Sequence, residues 1–203
     1  TSDRHEGLEE RLATWLGFQS CAIFTTGYQG MVGILSTFAD DDTTVALDKL
    51  SHACILDGAH LAQGYNPDLE LRFFKHNNAK SLRRALSQSE KKKKLVVVEG
   101  LYSVDGDMAP LAEILEVCKE FDAPLVVDDA HGIGTIGETG RGTCEVQGLL
   151  DQVDFLFGSF SKSFGGIGGF VCADRELIEY MKLKAKSFVY SASLPNAQIE
   201  AAT

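Results

Sequence analysis

Apolar residues along this chain change period from helix to strand and back. Leu8, Leu12, Trp15 and Leu16 recur at helical spacing and predict a helix over 6–16. The short apolar run Cys21 to Phe24 predicts a strand, and 28–38 a helix. Thr44 to Leu47 predicts a second strand, and 79–88 a helix with Leu82 and Leu86 on one face. Four continuous apolar runs, at 95–98, 125–128, 154–157 and 169–172, suit strands covered on both faces. Between the first two, Leu111, Ile114, Leu115 and Cys118 keep i, i+3, i+4, i+7 register behind Pro110, giving a strand–helix–strand unit. The alternation predicts an α/β fold, a three-layer α-β-α sandwich around a mostly parallel sheet, as one domain over 1–203. Thr1-Ser2-Asp3 leads straight into a helix and Ala201-Ala202-Thr203 lies inside another, so the sequence is expected to be a fragment.

In open α/β sheets, ligands collect outside the carboxyl ends of the strands. The chemistry-bearing residues fall there. Glu99-Gly100 follows one strand, Asp128-Asp129-Ala130-His131 a second, and Ser159-Phe160-Ser161-Lys162 a third. Acid, imidazole and amine are thus delivered to one sheet edge.

Charge narrows the partners. The formal net charge of -10 argues against nucleic acid and anionic membrane surfaces. The run Lys91 to Lys94 reads as a solvated turn guarding an apolar strand. There is no apolar stretch long enough to span a bilayer. The five cysteines form no C-x-x-C pair, so they read as reduced thiols of a cytoplasmic protein, and no metal is expected from the Cys and His spacing.

The segment Gly158 to Gly166 places Lys162 among serines and glycines after a strand. A lysine amine can condense with an aldehyde, and small residues with hydroxyls let a backbone approach a phosphate. An acid at a strand end could pair with a protonated ring nitrogen. Asp128 and Asp129 both qualify, and spacing does not choose between them. Gly132-Ile-Gly134-Thr-Ile-Gly137 spells a dinucleotide fingerprint, but the site segment Asp128 to His131 intervenes between the apolar run and the glycines, and Glu-Thr-Gly-Arg-Gly follows where a helix should open.

Taken in order, these pieces resemble one family. They are His5-x-x-Leu8-Glu9, Thr26-Gly27-Tyr28, His52-Ala53 with Asp57-Gly58, and His76-Asn77-Asn78. Then come Glu99-Gly-Leu-Tyr-Ser-Val-Asp-Gly-Asp107 with Ala109-Pro110-Leu111, Val127-Asp-Asp-Ala-His-Gly132, Gly140-Arg-Gly142, the lysine segment, and Tyr190-Ser-Ala-Ser-Leu-Pro195. The ordered set resembles the α-oxoamine synthases, fold-type I enzymes that use pyridoxal 5'-phosphate (PLP) to join an amino acid to an acyl-CoA. Over essentially the whole chain, the match is to the large PLP-binding domain, without the small C-terminal domain or the N-terminal arm.

The resemblance implies roles. Lys162 would carry PLP, Asp128 would face its ring nitrogen, His131 its ring oxygen, and His52 would stack on the ring. Ser159 and Ser161, with the backbone at Gly27 and Tyr28, would hold the phosphate, and Ser103 would line the pocket. Ser193 would reach the phosphate of a neighbouring subunit, implying a homodimer with a shared active site; Ala192 departs from the hydroxyl residue often found there. The implied reaction condenses a small amino acid with an acyl-CoA, with decarboxylation, to an α-amino ketone. The motifs look most like the serine palmitoyltransferase members of sphingoid-base synthesis. The 8-amino-7-oxononanoate synthase type of biotin synthesis and glycine C-acetyltransferase are alternatives, as is an aminotransferase.

Overall fold

The structure, a computed structural model, describes residues 2–203. Thr1, part of the expected lead into the first helix, lies outside them. The order of elements is α1 (Asp3–Leu16), β1 (Ser20–Phe24), α2 (Gly27–Phe38), β2 (Thr43–Asp48), α3 (Ala53–Tyr65), β3 (Glu70–Phe74), α4 (Ala79–Ser87) and β4 (Lys93–Glu99). It continues α5 (Leu111–Glu120), β5 (Leu125–Asp128), α6 (Thr143–Val146), β6 (Phe155–Ser159), β7 (Gly169–Ala173), α7 (Arg175–Lys184), α8 (Lys186–Val189) and α9 (Asn196–Ala202).

The strands form one seven-stranded sheet in the order β1-β7-β6-β5-β4-β2-β3. Neighbours from β6 through β3 are parallel, while β7 pairs antiparallel with both β6 and β1. Only β7 therefore runs against the rest. Alternate residues of each central strand feed opposite faces. Val96, Val98, Leu125 and Val127 pack with α1, α4, α5 and α9, while Val97, Val126 and Phe157 pack with α2, α3 and α7. This is the expected three-layer sandwich, and strands buried on both faces explain the continuous apolar runs.

The expected elements form, with ends moved by at most three residues. The starts of α2 and α4 carry side chains that cap them. Thr26 Oγ1 accepts from Gln29 N at 3.2 Å, and Asn78 Oδ1 from Ser81 N at 2.8 Å. Three longer elements went unread in the sequence. β3, Glu-Leu-Arg-Phe-Phe, is an edge strand whose burial does not alternate. α3 buries small residues, Cys54, Gly58, Ala59 and Ala62, which blur a helical stripe. α7 buries only Ile178 and Met181. No helix among the described residues is long and apolar enough to cross a membrane.

The Lys91 to Lys94 run lies where β4 begins. Lys93 Nζ meets Asp40 Oδ2 at 2.5 Å, and Lys91 Nζ donates to the Asp41 carbonyl at 2.8 Å. The run is a solvated turn as expected, with Lys92 and Lys93 exposed, and its lysines reach the Asp40–Asp42 turn ahead of β2.

Candidate active site

The carboxyl ends of β2, β4, β5 and β6 share one edge with the start of β7 and of α2, because Ser159 pairs with Gly169 and Phe24 pairs with Gly169 on the other side. A 290 Å³ cavity opens there. β6 and the loop after it supply Ser159, Ser161 and Lys162; β5 supplies Asp128, with His131 just beyond; the β2–α3 connection supplies His52; α2 supplies Gly27 and Tyr28. Eight of the ten residues anticipated from sequence therefore meet in one cavity. Phe157 and Ile167 add apolar lining.

The other two lie elsewhere. Ser103 is exposed on the turn after β4 and does not line the cavity; its backbone N–H reaches the Glu99 carboxylate instead. Ser193 lines a separate cavity with His5, Thr25 and Lys182.

Asp128 and Asp129 adjoin in sequence and part in space. Asp128 faces the cavity, its Oδ1 accepting from Ala130 N at 3.2 Å and its Oδ2 lying 3.9 Å from the Cys54 thiol. Asp129 turns the other way and accepts from Thr143 N at 2.6 Å. A Cβ at Gly132 or Gly142 would come within about 2 Å of its carboxylate, so glycine is required at both. Of the three would-be dinucleotide glycines, Gly132 thus packs on this structural acid, while Gly134 packs on Ser163 and Gly137 on Glu145.

His52 performs two jobs at once. Its Nδ1 accepts from Cys54 N at 3.2 Å, capping α3, while the ring lines the cavity. Its backbone N–H donates to Glu99 Oε1 at 2.6 Å. Glu99 was recognised in sequence only as a strand-end acid. It sits level with Asp128 on the adjoining strand, and that shared register is the signal that marks it as part of the site.

Electrostatically the edge is under-neutralised. Burial, then the neighbouring Glu99 charge, pushes Asp128 up to about 8. Burial likewise pushes Glu99 up to about 7, with Asp48 adding to it. No cation among the described residues pairs with Asp128. Burial, with Lys162 and His52 nearby, lowers the His131 pKa and favours its neutral ring.

The opposite wall suits an anion. Gly27 opens α2, where free backbone N–H groups and the helix dipole favour negative charge. A Cβ at Gly27 would stand 3.2 Å from Ser159 Oγ and from the Phe157 ring. One at Gly169 would stand 2.5 Å from Gly27 Cα, so helix and strand touch backbone to backbone. Ser159 Oγ and Ser161 Oγ lie 2.8 Å apart beside this helix start. One end of the cavity thus suits a phosphate, the other a cationic ring nitrogen, with an amine and two imidazoles between.

Comparison with known proteins agrees with this geometry. The family described as aminotransferase class I and II matches residues 1–203. An 8-amino-7-oxononanoate synthase of Geotalea daltonii is 39% identical over 199 residues, covering 97% of this chain and 49% of the relative. A serine palmitoyltransferase of Caulobacter vibrioides is 41% identical over 197 residues, covering 96% and 48%. Among solved structures, a serine palmitoyltransferase from S. paucimobilis with a bound PLP–myriocin aldimine superposes with a TM-score of 0.93 at 39% identity, covering 100% of this chain and 51% of that one. An 8-amino-7-oxononanoate synthase from Francisella tularensis superposes with a TM-score of 0.83 at 25% identity, covering 100% and 57%. The chain spans about half the length of the curated relatives it matches.

Proposed function

Because the chain belongs to the aminotransferase class I and II family, we propose that it forms the PLP-binding domain of an α-oxoamine synthase. The reaction is condensation of a small amino acid with an acyl-CoA, with loss of carbon dioxide, to an α-amino ketone. One observation carries the reading: Asp128 is buried in the same cavity as Lys162, and no cation among the described residues pairs with it. A buried carboxylate left unpaired is costly, and a cationic ligand removes that cost.

Bound there, PLP would supply an electron sink for negative charge developing on the carbon beside the substrate amine. Asp128 would hold the ring nitrogen in its protonated form. Ser159, Ser161 and the start of α2 would hold the phosphate, and His52 would cover one face of the ring against water. Lys162 Nζ is the one amine of the cavity lining, and so the group that holds the cofactor and moves a proton at the substrate carbon. His131, neutral, offers one N–H to an oxygen that gains charge.

Serine palmitoyltransferase chemistry is the preferred assignment, supported by the similarity to that enzyme in sequence and fold. The relatives named 8-amino-7-oxononanoate synthase support the biotin-type alternative. The same reading has a homodimer with a shared active site in the cytoplasm. The five cysteines, all free and buried, support that compartment.

The test is the absorbance of the purified protein with PLP, for wild type and Lys162→Ala. A visible band that borohydride discharges in the wild type, and that the variant lacks, supports the assignment. Absence of a band from the wild type overturns it. Serine, alanine or glycine with acyl-CoAs of different length then identifies the substrates by release of the CoA thiol. Transfer of an amino group to a keto acid without thiol release would instead mean an aminotransferase.

A further inference from the structure

Beside the cavity, the ends of β2, β3 and β4 meet around His76. Its ring bridges two carboxylates, with Nδ1 3.0 Å from Asp48 Oδ1 and Nε2 2.9 Å from Asp107 Oδ2. Asp48, fully buried at the end of β2, also accepts from Leu50 N and Asn77 N, each at 2.9 Å. Asp107, on the turn after β4, also accepts from Asn77 Nδ2 at 2.7 Å. Asn77 holds φ at 49°, an uncommon conformation for a residue with a Cβ, and these bonds over-determine it. The Tyr102 ring stands edge-on to His76 with centroids 4.5 Å apart.

The segments tied here are those that frame the site. From Asp48 the chain turns through Ser51, whose N–H bonds the Asp48 carbonyl, and arrives at His52. From Asp107 the turn folds back through Tyr102 N to the Asp107 carbonyl, and Ser103 N–H reaches Glu99. Glu99 in turn accepts from His52 N.

We propose that His76 is a positioning residue: one doubly donating imidazolium pins the 48–52 loop and the 101–108 turn together and so fixes His52 and Glu99 at the cavity rim. That these residues face PLP rests on the function proposed above; the clamp itself does not. An imidazolium has two N–H donors and a neutral ring only one, so deprotonation leaves one carboxylate facing a lone pair. The titratable groups around His76 are Asp48 from β2, Asp105 and Asp107 from the turn, and Glu99 and Tyr102 from the end of β4. Burial pulls the His76 pKa down, but the bonds and charges of Asp48 and Asp107 outweigh it and hold it above the ordinary value. A group raised in this way stabilises the fold below its unfolded pKa, and that contribution disappears as pH rises through the folded one.

The experiment is hydrogen exchange of the cofactor-free protein between mildly acidic and alkaline pH, each peptide normalised to its intrinsic rate. Wild type should protect 48–52 and 101–108 at low pH and lose about tenfold of that protection in one step as His76 deprotonates. His76→Gln, whose single amide nitrogen cannot bridge both acids, should show in both segments the lower protection of the deprotonated wild type at every pH, with no step. Asp107→Ala keeps the buried Asp48 contact and so guards against a misfolded first variant; it should free the turn alone. A step that persists in His76→Gln, equal protection in the variant and wild type at low pH, or a turn still protected in Asp107→Ala would each overturn the proposal. The PLP absorbance band is read separately, so failure of the clamp and failure of the cofactor assignment remain distinct.

Discussion

Where β2, β3 and β4 begin, acids stand beside cations: Asp40 beside Lys93, Asp42 beside Lys92, and Glu70 beside Arg72. Where β4 and β5 end, Glu99, Asp128 and Asp129 are buried, and no cation among the described residues pairs with them. Their pKa values diverge accordingly. Asp40 is lowered by its bond to Lys93, and Glu70, despite some burial, is held at about 2 by Arg72, Ser89 and Thr44. Asp128 stands at about 8, Glu99 at about 7 and Asp129 at about 6, each raised by burial. Residue type is the same at both edges; only burial and partners differ. One edge is self-sufficient, while the other stores destabilisation that a cationic ligand would relieve.

The largest effect expected from this contrast follows removal of the Asp128 charge. A carboxyl that ordinarily titrates near 3.8 and sits at about 8 in the fold binds its proton more tightly when folded. Its contribution favours the fold below pH 4, declines as pH rises from 4 to 8, and is constant above. Asp128→Asn should therefore make the cofactor-free protein more stable at pH 7, on the order of 2 kcal/mol in urea titration, and make the decline in stability across that window shallower, leaving the parts that Glu99 and Asp129 contribute. On the function proposed above, the same change should lower turnover at least about 100-fold, because the group that would hold the ring nitrogen protonated is gone. A variant that loses stability at pH 7 and keeps activity would erase the distinction between the two edges.

Much of this contrast was legible in the chain before the fold was known, and its limits were physical. Strands buried on both faces announce themselves by composition, so β4, β5, β6 and β7 were readable from Val, Leu and Phe alone. β3 was not, because an edge strand carrying Glu70 and Arg72 has no reason to alternate. The helix α3 hid behind small residues chosen for close approach to α2. Residue spacing could bring Asp128 and Asp129 to the same edge but not aim them, and only the turn through Ala130 sends one to the cavity and the other to Thr143. Glu99 and His76 escaped as site residues for a related reason. Their importance lies in hydrogen bonds to backbone and side chains far away in sequence, which no local pattern records.

A middle-sized effect belongs to the opposite edge and has the opposite sign. Glu70 ordinarily titrates near 4.5 and sits at about 2 in the fold. Its contribution is complete above pH 4.5 and is lost as pH falls toward 2. Glu70→Gln should remove that acid limb from the stability profile. It should cost about 1 kcal/mol or less at pH 7, since water screens a pair so near the surface, and leave cofactor binding untouched. Thermal melts from pH 2 to 7 would show it. An unchanged acid limb would mean that this edge is not held by its charges.

The smallest effect expected is that of the lysine run. Lys91 to Lys94 form the densest cationic stretch of a chain whose net charge is -10, and in another setting they would invite an anionic partner. Their contacts point elsewhere: to Asp40, to Asp42, to the Asp41 carbonyl, and, for Lys94, to the Lys91 carbonyl. All of these lie where β2 and β4 begin, across the sheet from the cavity. Replacing all four with glutamine should leave the melting temperature at pH 7 and the cofactor absorbance near their wild-type values, because exposed pairs contribute little. What should change is colloidal behaviour, as a chain made four charges more negative and stripped of its gatekeepers exposes the start of an apolar strand during refolding. Refolding yield against protein concentration measures that. A weakened cofactor band in this variant would show instead that the two edges communicate, and that the lysines do more than guard β4.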